Sequence, residues 1–210
     1  MPTWQFWWTW IVQAIVATAT LLAVIVALFG KRIRLRWFPP ELSLTLLSDR
    51  GDLAPTDVPS PSGSIIRTKS RWYHVRLVNG RRWSEATSAH AYLTGVEVPD
   101  ATGMYAPVWS GALPLKVRHE GAVLIGRTIG PPAVYDLCCV IKDHGVQLQP
   151  VVLPNRLAEL VAIRSGKMRL TLQAHSIEAD SLPLRVELGW DGDWADDSAE
   201  MARHFTVRQL

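Results

Sequence analysis

The chain has 210 residues, with 22 Lys and Arg against 19 Asp and Glu, and two cysteines. Four basic residues, Lys31, Arg32, Arg34 and Arg36, fall in one short run, which leaves 18 against the 19 acids for the rest. A near-neutral body lacks the basic surplus that displaces counterions, which argues against a nucleic-acid partner, and neighbouring Cys138 and Cys139 argue against a disulfide framework.

Residues 1–30 contain no Asp, Glu, Lys, Arg or His. Residues 7–29 would form roughly 34 Å of helix at 1.5 Å per residue, against a hydrocarbon core of about 30 Å. The polar side chains inside it are Gln13 and threonines, whose hydroxyls can bond back to their own helix. Trp4, Trp7, Trp8 and Trp10 crowd one end and Phe29, Trp37 and Phe38 follow the other, as expected for indole and phenyl rings at two membrane interfaces. A cleaved signal peptide fits poorly: no positive charge precedes the stretch, its core is overlong, and Phe29-Gly30-Lys31 stands where the cut would fall. Lys31, Arg32, Arg34 and Arg36 predict that the C-terminal side is cytoplasmic and meets anionic headgroups. The domain boundaries are therefore a transmembrane anchor over 1–30, a basic juxtamembrane linker over 31–40, and one folded domain over 41–210.

Residues 41–46 alternate, with Leu42, Leu44 and Leu46 on one face. Residues 49–64 carry Pro, Ser, Asp and Gly and read as a surface loop. Residues 72–78 predict a strand with Tyr73, Val75 and Leu77 inward and His74 and Arg76 opposite, and 89–98 another with Ala91 and Leu93 inward. Further strands are predicted at 115–118, 133–141, 146–152, 167–175, 182–190 and 205–208. Helical turns are predicted at 155–163, capped by Asn155, and at 197–204, starting at Asp197 or Ser198. Many short strands separated by Gly, Pro, Asn and Asp describe an antiparallel β-sandwich, immunoglobulin-like by pattern, with a barrel as the alternative.

Arg67, Lys69, Arg71, His74, Arg76, Arg81 and Arg82 form a basic series with interleaved Trp and Tyr and no acid, the first place to seek an anionic ligand. Arg67, Lys69 and Arg71 share one parity, so the plainer reading is the solvated side of a strand. In residues 190–197, Asp191, Asp193, Asp196 and Asp197 surround Gly192, but the spacing is not that of a calcium loop and reads as a turn leading into a helix start. The six histidines show no metal-ligand spacing, and residues 126–130 before Pro131-Pro132 read as a connection. No nucleophile elbow, phosphate loop or dinucleotide fingerprint is present, so neither an enzyme, a cofactor nor a metal is expected.

The run Trp72-Tyr73-His74-Val75-Arg76-Leu77-Val78-Asn79, then Arg81-Arg82-Trp83-Ser84 and Ala86, is followed by Arg127-Thr128-Ile129-Gly130 and Asp136-Leu137-Cys138. Glu178-Ala179-Asp180-Ser181 and Trp190-Asp191-Gly192 with Glu200-Met201 close the series. In this order they resemble a group of bacterial proteins built as one N-terminal membrane helix and a small β-sandwich. The resemblance implies that architecture and carries no activity, so no functional residue transfers.

The expectation is a single-pass protein of the bacterial inner membrane, N-terminus out, displaying a cytoplasmic sandwich. Its partners would be the bilayer and either a protein, a second copy of itself or a small anionic ligand. The alternatives are a membrane effector whose clustering perturbs the bilayer through Gln13 and the Thr/Ala-rich residues 14–19, and an extracytoplasmic recognition domain.

Overall fold

The computed structural model describes residues 3–60, 63–81, 83–118, 127–129, 132–152 and 165–210. Arg82, His119, Pro131, Pro154 and the helical turn predicted at 155–163 lie outside them. The chain divides into two compact units, Met1–Pro39 and Pro40–Leu210.

The first unit is one helix, α1 (Thr3–Trp37). Its segment Trp7–Gly30 has a mean hydropathy of 2.5 and buries none of its surface, so it is long and apolar enough to cross a membrane. Thr18 and Thr20 donate back to Ala14 O and Val16 O, both at 2.8 Å, which removes their hydroxyls from an apolar surround. The predicted linker over 31–40 is helical as far as Trp37. Lys, Arg, Ile and Leu carry the helix on, and Pro39-Pro40 stop it by removing donors and fixing φ.

The second unit is built of strands: β1 (Leu42–Leu46), β2 (Asp52–Pro59), β3 (Ile65–Asn79), β4 (Ala86–Pro99), β5 (Tyr105–Pro114), β6 (Lys116–Val117), β7 (Arg127–Ile129), β8 (Ala133–Ile141), β9 (Gly145–Leu148), β10 (Gly166–His175), β11 (Leu184–Trp190) and β12 (Phe205–Gln209), with the short helix α2 (Ser198–His204) before β12. They form two antiparallel sheets, one of them curled. The first runs β1-β3-β8-β6, with β2 also on β3 and β9 on β8; the second runs β12-β11-β10-β4-β5, with β7 on β4. Leu42, Leu44, Tyr73, Val75 and Leu77 of the first sheet pack into one core with Leu93, Val96, Leu170, Leu172, Val186 and Leu188 of the second. This is the sandwich that the period-two pattern predicts. Asp197 caps α2 by accepting from Ala199 N and Glu200 N, each at 2.9 Å, and Met201 drops into the core.

Within the sandwich, the strand predicted at 146–152 ends at Leu148, and three further segments differ from expectation. The predicted loop over 49–64 contains β2, paired residue for residue with the first half of β3. Its Pro55 and Pro59 are tolerated because β2 is an edge strand, where a missing N–H faces away from the ladder. β3 starts at Ile65 rather than Trp72 because β2 supplies that half with a partner. Residues 127–129, read as a connection, form β7 against Ala86 and Ala89 of β4. β5 went unforeseen; two register shifts and a mostly exposed face erase its alternation.

Candidate functional site

Alternation along β3 sends Tyr73, Val75 and Leu77 to the core and Trp72, His74 and Arg76 to the opposite face. Beside it β8 breaks step. Tyr73 opposes Cys138 and His74 opposes Asp136, so Leu137 is one residue too many, a β-bulge. Leu137 and Cys138 both enter the core, while Cys139 packs on the outer side with Val58, Ile141 and Trp72. The bulge thereby sets Asp136 against His74.

His74 Nδ1 lies 2.9 Å from Asp136 Oδ1. A carboxylate accepts, so the ring hydrogen is assigned to Nδ1 and Nε2 is left over. Nε2 stands 3.4 Å from Asp52 Oδ2, within ion-pair range, yet makes no hydrogen bond. The same Asp52 oxygen accepts from Arg118 Nη2 at 2.8 Å. These groups floor a cleft of about 290 Å³ walled by Trp72, Ala54 and Pro55. Exposure grades outward: the His74 side chain is only 6% exposed, Asp136 slightly more, and Arg118 and Asp52 form an open rim. Trp72 is fixed by its indole N–H, which donates to Ser70 Oγ at 2.8 Å, and Ser70 is bonded in turn to Thr56.

Cys139 pairs with Trp72 across the ladder and accepts from Gln149 Nε2 at 3.1 Å. Burial pushes its thiol up to about 12, so it is a protonated, inert thiol at neutral pH, and burial pushes Cys138 up as well.

The basic series is divided among several places. Arg67, Lys69 and Arg71 share the parity of Tyr73 and Val75; the solvated side expected of them holds for Arg67 and Lys69 and fails for Arg71. Arg67 is exposed, Lys69 pairs with Asp196 at 2.5 Å, and Arg71 is buried. Arg71 Nη2 donates to Asp196 O at 2.7 Å and Nη1 to Arg50 O at 3.3 Å, while its Nε has no partner. Two features that looked separate in sequence, the basic strand and the acidic turn, are thus each other's contacts. Arg76 is exposed on the outer face, and Arg81 stands 3.5 Å from Glu41. Among the described residues of the series, only His74 lies in the cleft. On α1, Trp4, Trp7, Trp8 and Trp10 lie near the start, and Lys31, Arg32, Arg34, Arg36 and Trp37 at the end.

Sequence reasoning missed Asp52, Arg118 and Asp136. Asp136 had a visible signal, being the one acid within the apolar run 133–141. Asp52 lay in the presumed loop, and Arg118 carries no local mark.

A second grouping brings Asp191, Asp193 and His204 within 4.8 Å of one another. Asp191 accepts from Asp193 N and from His204 Nδ1, both at 2.9 Å, so these groups already use one another. The backbone bond from Asp193 leads in holding the Asp191 carboxyl below its ordinary range, and the bond to Asp191 holds the His204 imidazole above its own. This is the turn expected before α2, closed by a histidine from that helix.

No protein family matches the chain, and no curated protein matches it.

Proposed function

We propose that this chain is a membrane-anchored binding module: α1 crosses the bacterial inner membrane, the sandwich stands in the cytoplasm, and the β3–β8 cleft receives a small polar ligand or a short segment of a partner protein. One observation carries the reading. His74 Nε2 is buried without a hydrogen bond at the floor of a solvent-open cleft, its nearest acceptor being Asp52 Oδ2 at 3.4 Å; of the buried side-chain atoms without a hydrogen bond it is the one whose residue lines this cleft, and such atoms usually find a partner. A group donating to Nε2 would satisfy the ring, and an acceptor on the same ligand could share the Arg118 guanidinium with Asp52. With Asp52 and Asp136 against Arg118 the cleft suits a ligand that carries a donor as well as an acceptor, rather than the purely anionic one expected from the basic series. Trp72 supplies a flat apolar wall.

The immunoglobulin-like label rests on the number of strands in two packed antiparallel sheets, although β3 and β4 are longer than the short strands expected; such sandwiches commonly bind through loops and sheet faces. Orientation rests on Lys31, Arg32, Arg34 and Arg36 beyond the apolar segment.

The test is a thermal-shift screen of small amines, carboxylates and zwitterions on the detergent-solubilised full chain. A true ligand raises the midpoint in proportion to ln(1 + [L]/Kd). The shift should vanish in His74→Phe and in Arg118→Ala. A ligand that stabilises both variants as well as the parent removes the cleft from the account. A C-terminal reporter active only in the periplasm would reverse the orientation.

A further inference from the structure

Antiparallel pairing gathers the start of β1, the end of β3, the start of β4, the end of β10 and the start of β11 at one end of the sandwich. Pro40 adjoins that end, because Glu41 N donates to Asn79 Oδ1 at 3.1 Å and Gly80 N to Glu41 O at 2.8 Å. Two loops close it, 176–183 and 80–85, the latter described at 80, 81 and 83–85, and the described residues of both are held by hydrogen bonds. Asn79 accepts from Arg81 N at 3.1 Å and donates to Ser84 O at 2.5 Å. Ser176 Oγ accepts from Ala179 N at 2.9 Å, the Glu178 carboxylate takes Thr87 N at 2.7 Å together with the Thr87 hydroxyl, and Ile177 N donates to Thr87 O at 3.1 Å. The second loop is thereby tied to the strand that follows the first.

These ordered loops nevertheless turn Trp83, Ile177 and Leu182 outward, at 62%, 77% and 87% exposure. Exposed apolar side chains such as Ile65, Ile66 and Met104 also occur elsewhere in the sandwich; what distinguishes these three is that they stand on bonded loops at the end that Pro40 adjoins. Because the loops are already ordered, little conformational entropy is lost when that surface is covered.

Connectivity identifies what covers it. Residues 31–39 separate the bilayer-length segment Trp7–Gly30 from Pro40. Each intervening residue spans at most roughly 3.6 Å, and those up to Trp37 are helical and shorter, about 1.5 Å each. The end bearing Pro40 is therefore tethered beside the interface at high effective concentration, where even weak affinity is enough. Charge there is mixed, with Arg81 and Arg185 alongside Glu85 and Asp180, so apolar insertion rather than attraction to anionic lipid has to supply the contact. An indole with two aliphatic side chains suits the boundary between headgroups and acyl chains.

We infer that this end of the sandwich docks on the membrane that α1 crosses, with Trp83, Ile177 and Leu182 entering the interfacial layer. The inference rests on the membrane-spanning reading of α1.

The test uses the full chain in phosphatidylcholine–phosphatidylglycerol vesicles, with Ile177→Cys, Leu182→Cys and Met104→Cys labelled singly with the fluorophore NBD. Met104 is 70% exposed in the turn after β4, at the opposite end, and native Cys138 and Cys139 are buried. Flotation with the vesicles checks the anchor first. Doxyl-labelled lipid should then quench the probe at 177 and 182 at least about two-fold more than at 104, as interfacial insertion requires. Equal quenching at all three sites in a floating chain overturns the docking and leaves the anchor standing. A probe at 177 that is shielded from water yet insensitive to doxyl lipid marks a protein contact and also overturns it. A chain that does not float removes the anchor and the docking together.

Discussion

Replacing Arg71 by Met distinguishes a basic strand held ready for ligand from one used to close the fold. The Arg71 side chain is 2% exposed, bonded to Asp196 O at 2.7 Å and to Arg50 O at 3.3 Å. A hydrogen bond from a charged donor contributes about 1.5–3 kcal/mol, the longer one at the low end. Against that loss, Met restores the aliphatic packing and removes a buried charge whose Nε has no partner. The net cost is about 2–3 kcal/mol. For a domain of this size the melting midpoint falls by roughly 2–4 °C per kcal/mol, so Arg71→Met lowers it by roughly 4–12 °C. Lys69, two residues away on the same face, makes its contact to Asp196 with both side chains more than half exposed, where ion pairs contribute little. Lys69→Met should therefore leave the midpoint close to that of the parent. Thermal unfolding of the full chain in detergent, followed by near-ultraviolet circular dichroism, measures both. Equal shifts in the two variants, or none in Arg71→Met, would refute the structural assignment and return both residues to the list of ligand contacts.

Three further outcomes can be checked directly. The bond to Asp191 raises the His204 pKa above 6.5. Its contribution to stability is therefore fully present below that value and is lost as pH rises through the raised folded-state pKa. Asp191→Asn should bring the His204 titration, followed by ring NMR resonances, back toward 6.5, and an unchanged curve would contradict the pairing. Cys138 and Cys139 should both resist iodoacetamide in the folded chain at neutral pH and both react in denaturant, since each is buried with its thiol pKa pushed up. Gly51 sits at φ +65°, and a Cβ there would lie 2.8 Å from both Arg71 Cγ and Tyr73 Cζ. Gly51→Ala should thus destabilise by about 1–3 kcal/mol in the same melts, and a neutral substitution would show that the turn relaxes freely.

The strands that could be read from sequence are those buried on one side only. In 41–46, 72–78 and 167–175 the polar residues alternate with Leu, Val, Tyr or Met, and the sheet simply follows. β2 was illegible because its prolines carry the chemistry of a turn. Only the tertiary fact that its N–H-poor edge faces away from β3 makes them acceptable. The basic series was legible as residues but not as positions. Parity correctly groups Arg67, Lys69 and Arg71, yet it cannot say that this face continues past the core until it meets Asp196, more than a hundred residues away. Among the described members of the series, His74 alone lines the cleft. Its partners Asp52 and Arg118 come from segments whose neighbourhood depends on pairing, which no local pattern encodes.

The cleft itself follows from one unmatched residue. Along β8, Tyr135, Leu137, Cys138 and Val140 all enter the main core, which strict alternation forbids, because Leu137 and Cys138 are adjacent. The bulge at Leu137 resolves the conflict by letting both side chains reach the apolar side. Without that extra residue, the register beyond the Tyr73–Cys138 pair would set His74 opposite Leu137, and a buried imidazole would face an aliphatic side chain. With it, the one acid of the strand meets the one histidine of β3 at 2.9 Å, which fixes the ring and leaves Nε2 turned into the cleft. The hydrophobic demand of the inner face and the polar geometry of the outer face are thus met by the same irregularity. The proposed binding function therefore stands or falls with this bulge, because it is what brings Asp136 to His74.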